Sequence, residues 1–143
     1  MADSINVFTY GTLMLPEIMG TVTGRAFAWT PAIARGYARY AIEGELYPGL
    51  IPEEGAETRG VVYLGIGEAT VRVLDQFEGE WYVRTSIRVE TGTGEPMEAD
   101  AYLLRDGERH RITRTRWDIG VFRREGVEEF LRRYAGFSRI GRR

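Results

Sequence analysis

The chain of 143 residues fits a single domain that can bury roughly two thirds of its unfolded surface, and its formal net charge of −2 argues against a general polyanion-binding protein. It contains no cysteine, which excludes disulfides, thiol nucleophiles, thiolate metal sites and iron–sulfur clusters. All 19 basic residues are arginines, so catalysis by a lysine is excluded too. The groups that remain for catalysis or binding are carboxylates, tyrosines, threonines, arginines and the backbone.

The other common nucleophiles and metal ligands are isolated in the sequence. His110 is the single histidine and lies in the arginine-rich stretch RDGERHRITR, where we expect a solvated side chain without partners for zinc or a catalytic triad. The serines, Ser4, Ser86 and Ser138, do not fall in a G-x-S-x-G turn. No stretch approaches the roughly 18 apolar residues needed to span a bilayer. Residues 1–4 carry no basic segment, which predicts a soluble, cytoplasmic protein without a signal peptide.

The first half of the chain is dominated by strand signals. Residues 5–10 predict a strand, and Pro16 suits the first turn of a short helix that follows. The stretches 30–49 and 59–67 are rich in small, β-branched and aromatic residues and are punctuated by glycine and proline. This pattern predicts further strands joined by tight turns.

A helix is predicted for residues 68–78, because apolar residues recur there at helical spacing. At about 100° per residue, its apolar arc comprises Ala69, Val73, Phe77, Leu74 and Val71. Glu78 projects inside that arc, toward the core side. Gly79 follows directly and suits the position after the last helical residue, so we expect the helix to end there.

The second half of the chain returns to strands and ends in helices. Residues 82–92 and 98–107 carry strand signals, and residues 116–137 predict one or two helices with an apolar stripe of Val127, Phe130, Leu131 and Tyr134. We therefore expect a single α+β domain over residues 1–143, with a small mixed or barrel-like sheet over about 5–104 and a helical, arginine-rich segment over about 105–143.

Charge is unevenly distributed between these two parts. Residues 1–104 carry 7 arginines against 15 acids, a net of −8, and residues 105–143 carry 12 arginines against 6 acids, a net of +6. Among the features of the sequence, the arginine-rich segment is the one that most favours an anionic partner.

Glu78 is the first candidate for a catalytic group. A carboxylate on an apolar face, at the negative end of a helix dipole, has a raised pKa, because desolvation and the dipole both disfavour its charged form. A glutamate shifted toward neutrality suits a general base that works near pH 7. The alternative is that Glu78 reaches water from a frayed last turn or pairs with an arginine such as Arg84.

Gly11, in the stretch NVFTYGTLM, is the second candidate feature. A glycine directly after a strand permits a positive φ angle and leaves the following backbone N–H groups free to hold an oxyanion or a carboxylate. An ordinary strand-to-helix connection has the same composition. The chain lacks a phosphate loop, and GIGEAT lacks the third glycine of a dinucleotide fingerprint.

Several motifs occur together and in order: Y-G-T-L at residues 10–13, then ELYPG, RGVVYLG and LDQFEGEWYVR. Their combination resembles the gamma-glutamylcyclotransferase-like family, which includes gamma-glutamylamine cyclotransferases and small bacterial and plant members. The resemblance covers residues 6 to about 104, and its best motifs are Y-G-[ST]-L and L-D-x-x-E-G-x-x-Y-x-R. In addition, RWDIGVF is similar to a tryptophan-aspartate segment near the end of the plant stress-induced members.

The resemblance implies a small mixed β-barrel flanked by helices, and an enzyme that needs no metal or cofactor. In the family reaction, the α-amine of a γ-glutamyl group attacks its own side-chain carbonyl, forms 5-oxoproline and expels an amine or an amino acid. The resemblance places the catalytic glutamate at Glu78 and the substrate-binding residues at Tyr10, Gly11, Thr12, Leu13 and Tyr82. Arg84 also matches the second motif and suits a structural ion pair equally well, whereas Glu80 lies outside the motif and is expected to be solvated.

Two other functions are compatible with the sequence. The same fold could serve as a binding or regulatory module that holds a small molecule without turnover. Alternatively, the arginine-rich segment could grip a nucleic acid through Arg105, Arg109, Arg111, Arg114 and Arg116, although the acidic balance of the whole chain disfavours this role.

Overall fold

A mixed sheet of six strands forms the centre of the computed structural model, which describes residues 4–133. The strands are β1 (Ser4–Thr9), β2 (Trp29–Ile42), β3 (Pro48–Gly67), β4 (Tyr82–Thr91), β5 (Pro96–Leu104) and β6 (Ile112–Arg116). The helices are α1 (Pro16–Thr23), α2 (Glu68–Glu78) and α3 (Ile119–Glu125), and residues 127–133 are also helical. Short 3-10 helices occupy Thr12–Met14 and Asp106–Arg111.

The strand pairings close into a ring. The order across the sheet is β3-β1-β5-β4-β2-β6, and β3 also pairs with β2, so five strands are linked in a circle and β6 pairs with the C-terminal end of β2. The pairing of β1 with β5 is parallel, whereas the other pairings are antiparallel. The predicted α+β class with a mixed sheet and flanking helices is confirmed. Where the sequence predicts a small barrel, the structure has this ring of strand pairings.

Strand alternation divides the buried side chains between two clusters. In β1, Val7 belongs to a cluster that includes the buried faces of the helices, and Phe8 belongs to a second cluster made from the other face of the strands. Small side chains are frequent in the second cluster, which contains Ala32, Ala34, Ala99 and Ala101. Short side chains on the inner face allow the sheet to curve around a narrow interior.

Strand β3 is longer than the sequence predicts. It continues through residues 51–58, which separate the two predicted strand stretches. Its partner β2 imposes this conformation, since Ala38 pairs with Ile51 and Ala34 pairs with Thr58. The register shifts between Arg35 and Tyr37. Proline, glycine and glutamate have low strand propensity, so long-range pairing overrides the local signal in this stretch.

The expected helical C-terminal segment instead begins with the 3-10 helix Asp106–Arg111 and strand β6. Two pairings hold β6 against β2, those of Ile112 with Ile42 and of Arg116 with Tyr40. The residues of β6 are polar and largely exposed, so they carry no alternating apolar pattern. The predicted helices then follow, with Phe130 buried, while Tyr134 of the predicted stripe lies outside the described residues.

None of the helices within residues 4–133 is long and apolar enough to cross a membrane.

Gly60 lies where strands β1 and β3 approach each other most closely. A Cβ atom at this position would lie 2.2 Å from the carbonyl oxygen of Thr9 and 2.7 Å from the ring of Phe8. Because the first of these neighbours is backbone, Gly60→Ala is expected to lower the free energy of unfolding by about 2–3 kcal/mol, as overpacked cores do. Urea denaturation measures the change.

The matched control is Gly92→Ala, whose new Cβ atom would have no heavy atom within 4 Å. This variant is expected to stay within about 0.5 kcal/mol of the parent protein. Equal stabilities for the two variants would contradict the close approach at Gly60.

Candidate active site

Glu78 is the last residue of α2, and its side chain lies on the inward face of that helix. Val71 and Leu74 are buried on this face, and Glu78, one turn after Leu74, is partly buried. Gly79 then ends the helix with a φ of 79°, a region that disfavours any residue with a side chain. The inward placement of Glu78 thus agrees with the sequence pattern.

The apolar arc of α2 is narrower than predicted. Ala69 and Val73, two members of the predicted arc, are exposed, whereas Thr70 is buried. The buried face is centred on Leu74 and brings Glu78 closer to its middle. Because Ala69 and Val73 are apolar, the sequence pattern predicted that the buried face would extend to them, and this edge of the predicted arc is wrong.

Burial is the main influence on the acidity of Glu78. Desolvation, followed by the nearby charge of Asp75, raises the pKa of Glu78 from 4.5 to about 8. Within residues 4–133, the Glu78 carboxylate accepts no hydrogen bond and forms no ion pair. Arg84, the partner considered from the sequence, instead binds Asp75 at 3.0 Å and Asp100 at 2.7 Å.

The loop after β1 presents three backbone N–H groups, those of Gly11, Thr12 and Leu13. The 3-10 helix Thr12–Met14 has no side-chain cap, and among residues 4–133 these N–H groups find no acceptor. The loop carbonyls, in contrast, are held in place: Tyr63 Oη donates to Leu13 O at 2.7 Å, and Arg39 Nη1 donates to Tyr10 O at 2.7 Å. A fixed loop with free N–H donors is suited to binding an oxyanion.

Gly11 serves this loop in a different way from the predicted one. Its φ is −124°, so Gly11 does not use the positive φ angle that a glycine permits. A Cβ atom on Gly11 would lie 2.8 Å from Cδ of Pro48, and this contact leaves no room for a side chain. The glycine therefore permits close packing of the β1 loop against the start of β3.

Glu78 and the loop face a common cavity. A narrow cavity of about 30 Å³ is lined by Tyr10, Gly11, Thr12, Leu13, Glu78 and Tyr82, together with Phe8, Thr9, Tyr47, Pro48 and Tyr102. A larger cavity of about 200 Å³ shares four lining residues with it, namely Thr12, Tyr47, Glu78 and Tyr82. The structure thus brings together all of the site residues proposed from the sequence.

Tyrosine hydroxyls stabilise the walls of the narrow cavity. Tyr82 Oη donates to Pro48 O at 2.8 Å, and Tyr10 Oη donates to the carbonyl of Tyr102. Burial raises the pKa of both phenols, so they stay neutral. Because each hydroxyl proton is engaged by a carbonyl, Tyr10 and Tyr82 shape the cavity rather than supply protons.

Several lining residues are not among the sequence-derived site residues. Tyr47 and Pro48 belong to the ELYPG motif, which indicated the family but carried no assigned role. Tyr102 is placed by the pairing of β4 with β5, and its hydroxyl donates to Asp75 at 2.6 Å. Phe130 lies on the last described helix, and no short motif marks it.

The tryptophan-aspartate segment supports the loop before β3. Trp117 Nε1 donates to Leu46 O at 3.0 Å, next to Tyr47 in the cavity wall. Asp118 caps α3 by accepting from the N–H groups of Gly120 at 2.6 Å and Val121 at 3.2 Å. This segment therefore anchors the C-terminal helices beside the cavity.

Two further ionisable side chains discussed in the sequence analysis do not line either cavity. His110 and Glu80 are exposed. Within the described part of the chain, no three His, Asp or Glu side chains lie close enough together to hold a metal ion.

The fold and the cavity together define a cyclotransferase-like α+β domain, and comparison with known proteins supports this class. The family model described as "Gamma-glutamyl cyclotransferase, AIG2-like" matches residues 7–119. The chain belongs to this AIG2-like gamma-glutamyl cyclotransferase family. The match extends past the residue 104 expected from the motifs and includes Trp117 and Asp118.

Individual relatives agree with this assignment. AIG2-like protein C of Arabidopsis thaliana is 27% identical over 127 residues, which make up 88% of this chain and 73% of that protein. An Arabidopsis thaliana protein solved in solution is 25% identical, with a TM-score of 0.73 over 99% of this chain and 87% of its own. A gamma-glutamyl cyclotransferase structure, at 21% identity, shares the fold with a TM-score of 0.64 over 72% of this chain and 68% of its own.

The raised pKa of Glu78 has a consequence for stability. Its pKa rises from 4.5 in the unfolded chain to about 8 in the folded protein, so the folded state binds this proton more tightly. Ionisation between these pH values therefore lowers the free energy of unfolding, by at most about 4–5 kcal/mol. Glu78→Gln is expected to be more stable than the wild type by at least about 1 kcal/mol at pH 8.5, and the gain is expected to shrink toward pH 4.5.

Urea denaturation at the two pH values measures this difference. Glu80→Gln is the control, because Glu80 is an exposed acid two residues away, and its effect is expected to be small at both pH values. A stability gain for Glu78→Gln that does not change with pH would show that the Glu78 carboxyl is not desolvated.

Proposed function

We propose that this protein is a gamma-glutamyl cyclotransferase that releases 5-oxoproline from a γ-glutamyl amine or γ-glutamyl amino acid, with Glu78 as general acid and base. The observation that carries the proposal is the common cavity, which is lined by the partly buried Glu78 carboxylate and by the loop with the free N–H groups of Gly11, Thr12 and Leu13. Membership of the family supports the reaction type.

The proposed reaction begins with the γ-glutamyl chain curled so that its α-nitrogen lies against its own γ-carbonyl carbon. Glu78 accepts a proton as the nitrogen attacks, and a C–N bond forms while the carbonyl electrons move to oxygen. The N–H groups of the loop hold the resulting oxyanion, and each good donor contributes a few kcal/mol to the transition state. Holding the substrate in this conformation removes much of the entropic barrier.

In the second step the tetrahedral intermediate collapses and the original amide C–N bond breaks. Glu78 delivers the proton that it accepted to the leaving nitrogen. The ring nitrogen loses its second proton to solvent, and the released amine takes up one proton from solvent to become an ammonium ion. A pKa of about 8 suits both roles, since the carboxyl group is partly ionised at neutral pH and is also able to return the proton. The proposed reaction needs no cofactor, and a cytoplasmic location stays a prediction.

The direct test is to incubate the protein with γ-glutamyl amino acids and γ-glutamyl amines and to measure 5-oxoproline. Glu78→Gln is expected to reduce kcat by about 10²- to 10⁴-fold, because proton transfer by a positioned carboxyl contributes that much. Glu80→Gln, with its exposed side chain, is the control and is expected to retain activity. Equal rates for the wild type and Glu78→Gln would overturn the role of Glu78.

A second prediction concerns the pH dependence of kcat/KM. As a base, Glu78 must be ionised, so kcat/KM is expected to rise with pH along a limb near pH 8. The charge of Asp75 raises the pKa of Glu78. Asp75→Asn removes that charge and is expected to move the limb to lower pH, whereas Glu80→Gln is expected to leave it in place. An unchanged limb in Asp75→Asn would show that another group controls it.

The two alternatives give different results in these assays. A binding module would be stabilised thermally by 5-oxoproline or γ-glutamyl compounds but would release no product from them. Nucleic-acid binding through the arginine-rich segment has weaker structural support, because acidic side chains or a backbone carbonyl of the described chain lie beside four of its five named arginines and offset part of their positive charge. Arg105 donates to Glu80 O, Arg109 pairs with Asp106, Arg111 pairs with Glu108, and Arg116 pairs with Glu53.

A further inference from the structure

The cavity of about 200 Å³ beside Glu78 has apolar walls and a charged rim. Aromatic side chains of Tyr47, Phe77, Tyr82 and Phe130 line it, and Thr12 and Glu78 lie where it meets the narrow cavity. The rings of Phe77 and Phe130 pack edge to face, with centroids 6.0 Å apart. Such a surface accommodates an apolar group of moderate size.

Arg133 supplies the cation of this cavity and is the last described residue of the C-terminal helix. Its side chain is 53% exposed, and Nη2 lies 3.4 Å from Glu129 Oε1, one helical turn earlier. An exposed pair at this spacing contributes only about 0.3–0.5 kcal/mol. Arg133 can therefore exchange Glu129 for another carboxylate at little cost.

The position of Glu78 relates the cavity to the proposed reaction, on which this inference rests. Glu78 lines both cavities, and the loop donors lie in the narrow one. If the loop donors hold a γ-carbonyl next to Glu78, the larger cavity, which Glu78 also lines, is the space open to the substituent of the amide nitrogen. That substituent is the leaving group.

We propose that the larger cavity is the leaving-group subsite and that Arg133 selects γ-glutamyl amino acids with an apolar or aromatic side chain, by binding their free carboxylate. The aromatic walls take the side chain of the leaving amino acid. The guanidinium of Arg133 offers two parallel N–H donors that match a carboxylate in geometry and charge. A γ-glutamyl amine without a carboxylate fills the same walls but offers no carboxylate to Arg133, which then keeps Glu129 as its partner.

The test compares γ-glutamyl-phenylalanine with γ-glutamyl-phenethylamine, which differ only in the carboxylate of the leaving group. For the wild type, kcat/KM is expected to favour the carboxylate compound by about tenfold, mainly through KM, since a charge-assisted hydrogen bond of this kind commonly has that effect. Arg133→Gln is expected to abolish the preference, and Arg133→Lys to retain part of it.

Arg132→Gln is the matched control, because Arg132 is the neighbouring exposed arginine and does not line the cavity. It is expected to leave the preference unchanged. Glu129→Gln removes the competing carboxylate and is expected to keep or increase the preference. If Arg133 only stabilised the helix through Glu129, Glu129→Gln and Arg133→Gln would instead have similar effects.

Binding in the Glu78→Gln background separates this inference from the proposed reaction. Calorimetry with both compounds is expected to show the tenfold difference in Kd without turnover. If the wild type releases no 5-oxoproline but the difference in Kd persists and depends on Arg133, the proposed reaction fails and the subsite stands. If both compounds are turned over without a preference, or if Arg133→Gln weakens both equally, the subsite assignment is overturned.

Discussion

The desolvation of one carboxylate is the constraint on which the rest of the site depends. Glu78 is partly buried in the cavity that it shares with the β1 loop, and within residues 4–133 it forms no ion pair that would favour its charged form. Its proton affinity is therefore set by the surrounding packing. The close contact of Gly11 with Pro48 belongs to this packing, because it brings the β1 loop against the start of β3 and closes the narrow cavity.

Hydrogen bonds to backbone carbonyls hold the elements around this carboxylate in place. Tyr82 donates to Pro48 at the start of β3, Tyr63 donates to Leu13 in the 3-10 helix Thr12–Met14, and Arg39 donates to Tyr10 just after β1. Arg84, the arginine of the L-D-x-x-E-G-x-x-Y-x-R motif, pairs with Asp75. It therefore does not hold the Glu78 carboxylate in an ion pair. In the proposed reaction, a frame of this kind would keep the reacting groups in position without lowering the pKa of Glu78.

The C-terminal segment supports the loop at Leu46 and also lines part of the larger cavity. The family match reaches residue 119 and includes Trp117, whose indole holds the loop at Leu46. The helix beyond the match contributes Phe130 and Arg133 to the larger cavity. In the proposed reaction, the family residues supply the reacting groups and the chain beyond them supplies the wall against which the leaving group packs.

Local patterns predicted helix α2, the inward Glu78 and the strand that ends before Gly11, because helical periodicity and strand alternation are properties of short stretches. They misjudged the width of the buried face at Val73 and missed β6, since exposure and edge pairing depend on distant partners. The packing role of Gly11 was missed for the same reason, because it depends on the close approach of Pro48 across the fold. The sequence motifs identified Glu78 and the loop residues that line the narrow cavity, whereas the positions of Tyr102 and Arg133 in the cavity walls became clear only from the tertiary structure.

The placement of β1 between β3 and β5 also affects how the protein acquires its site. The hydroxyl of Tyr10 reaches the carbonyl of Tyr102, 92 positions later in the chain, and β1 pairs with β5 in parallel. Contacts between such distant residues form late, because a long stretch of chain must first be ordered. An N-terminal fragment emerging from the ribosome therefore carries the loop without its cavity, and the site is completed only after β5 has been synthesised and paired.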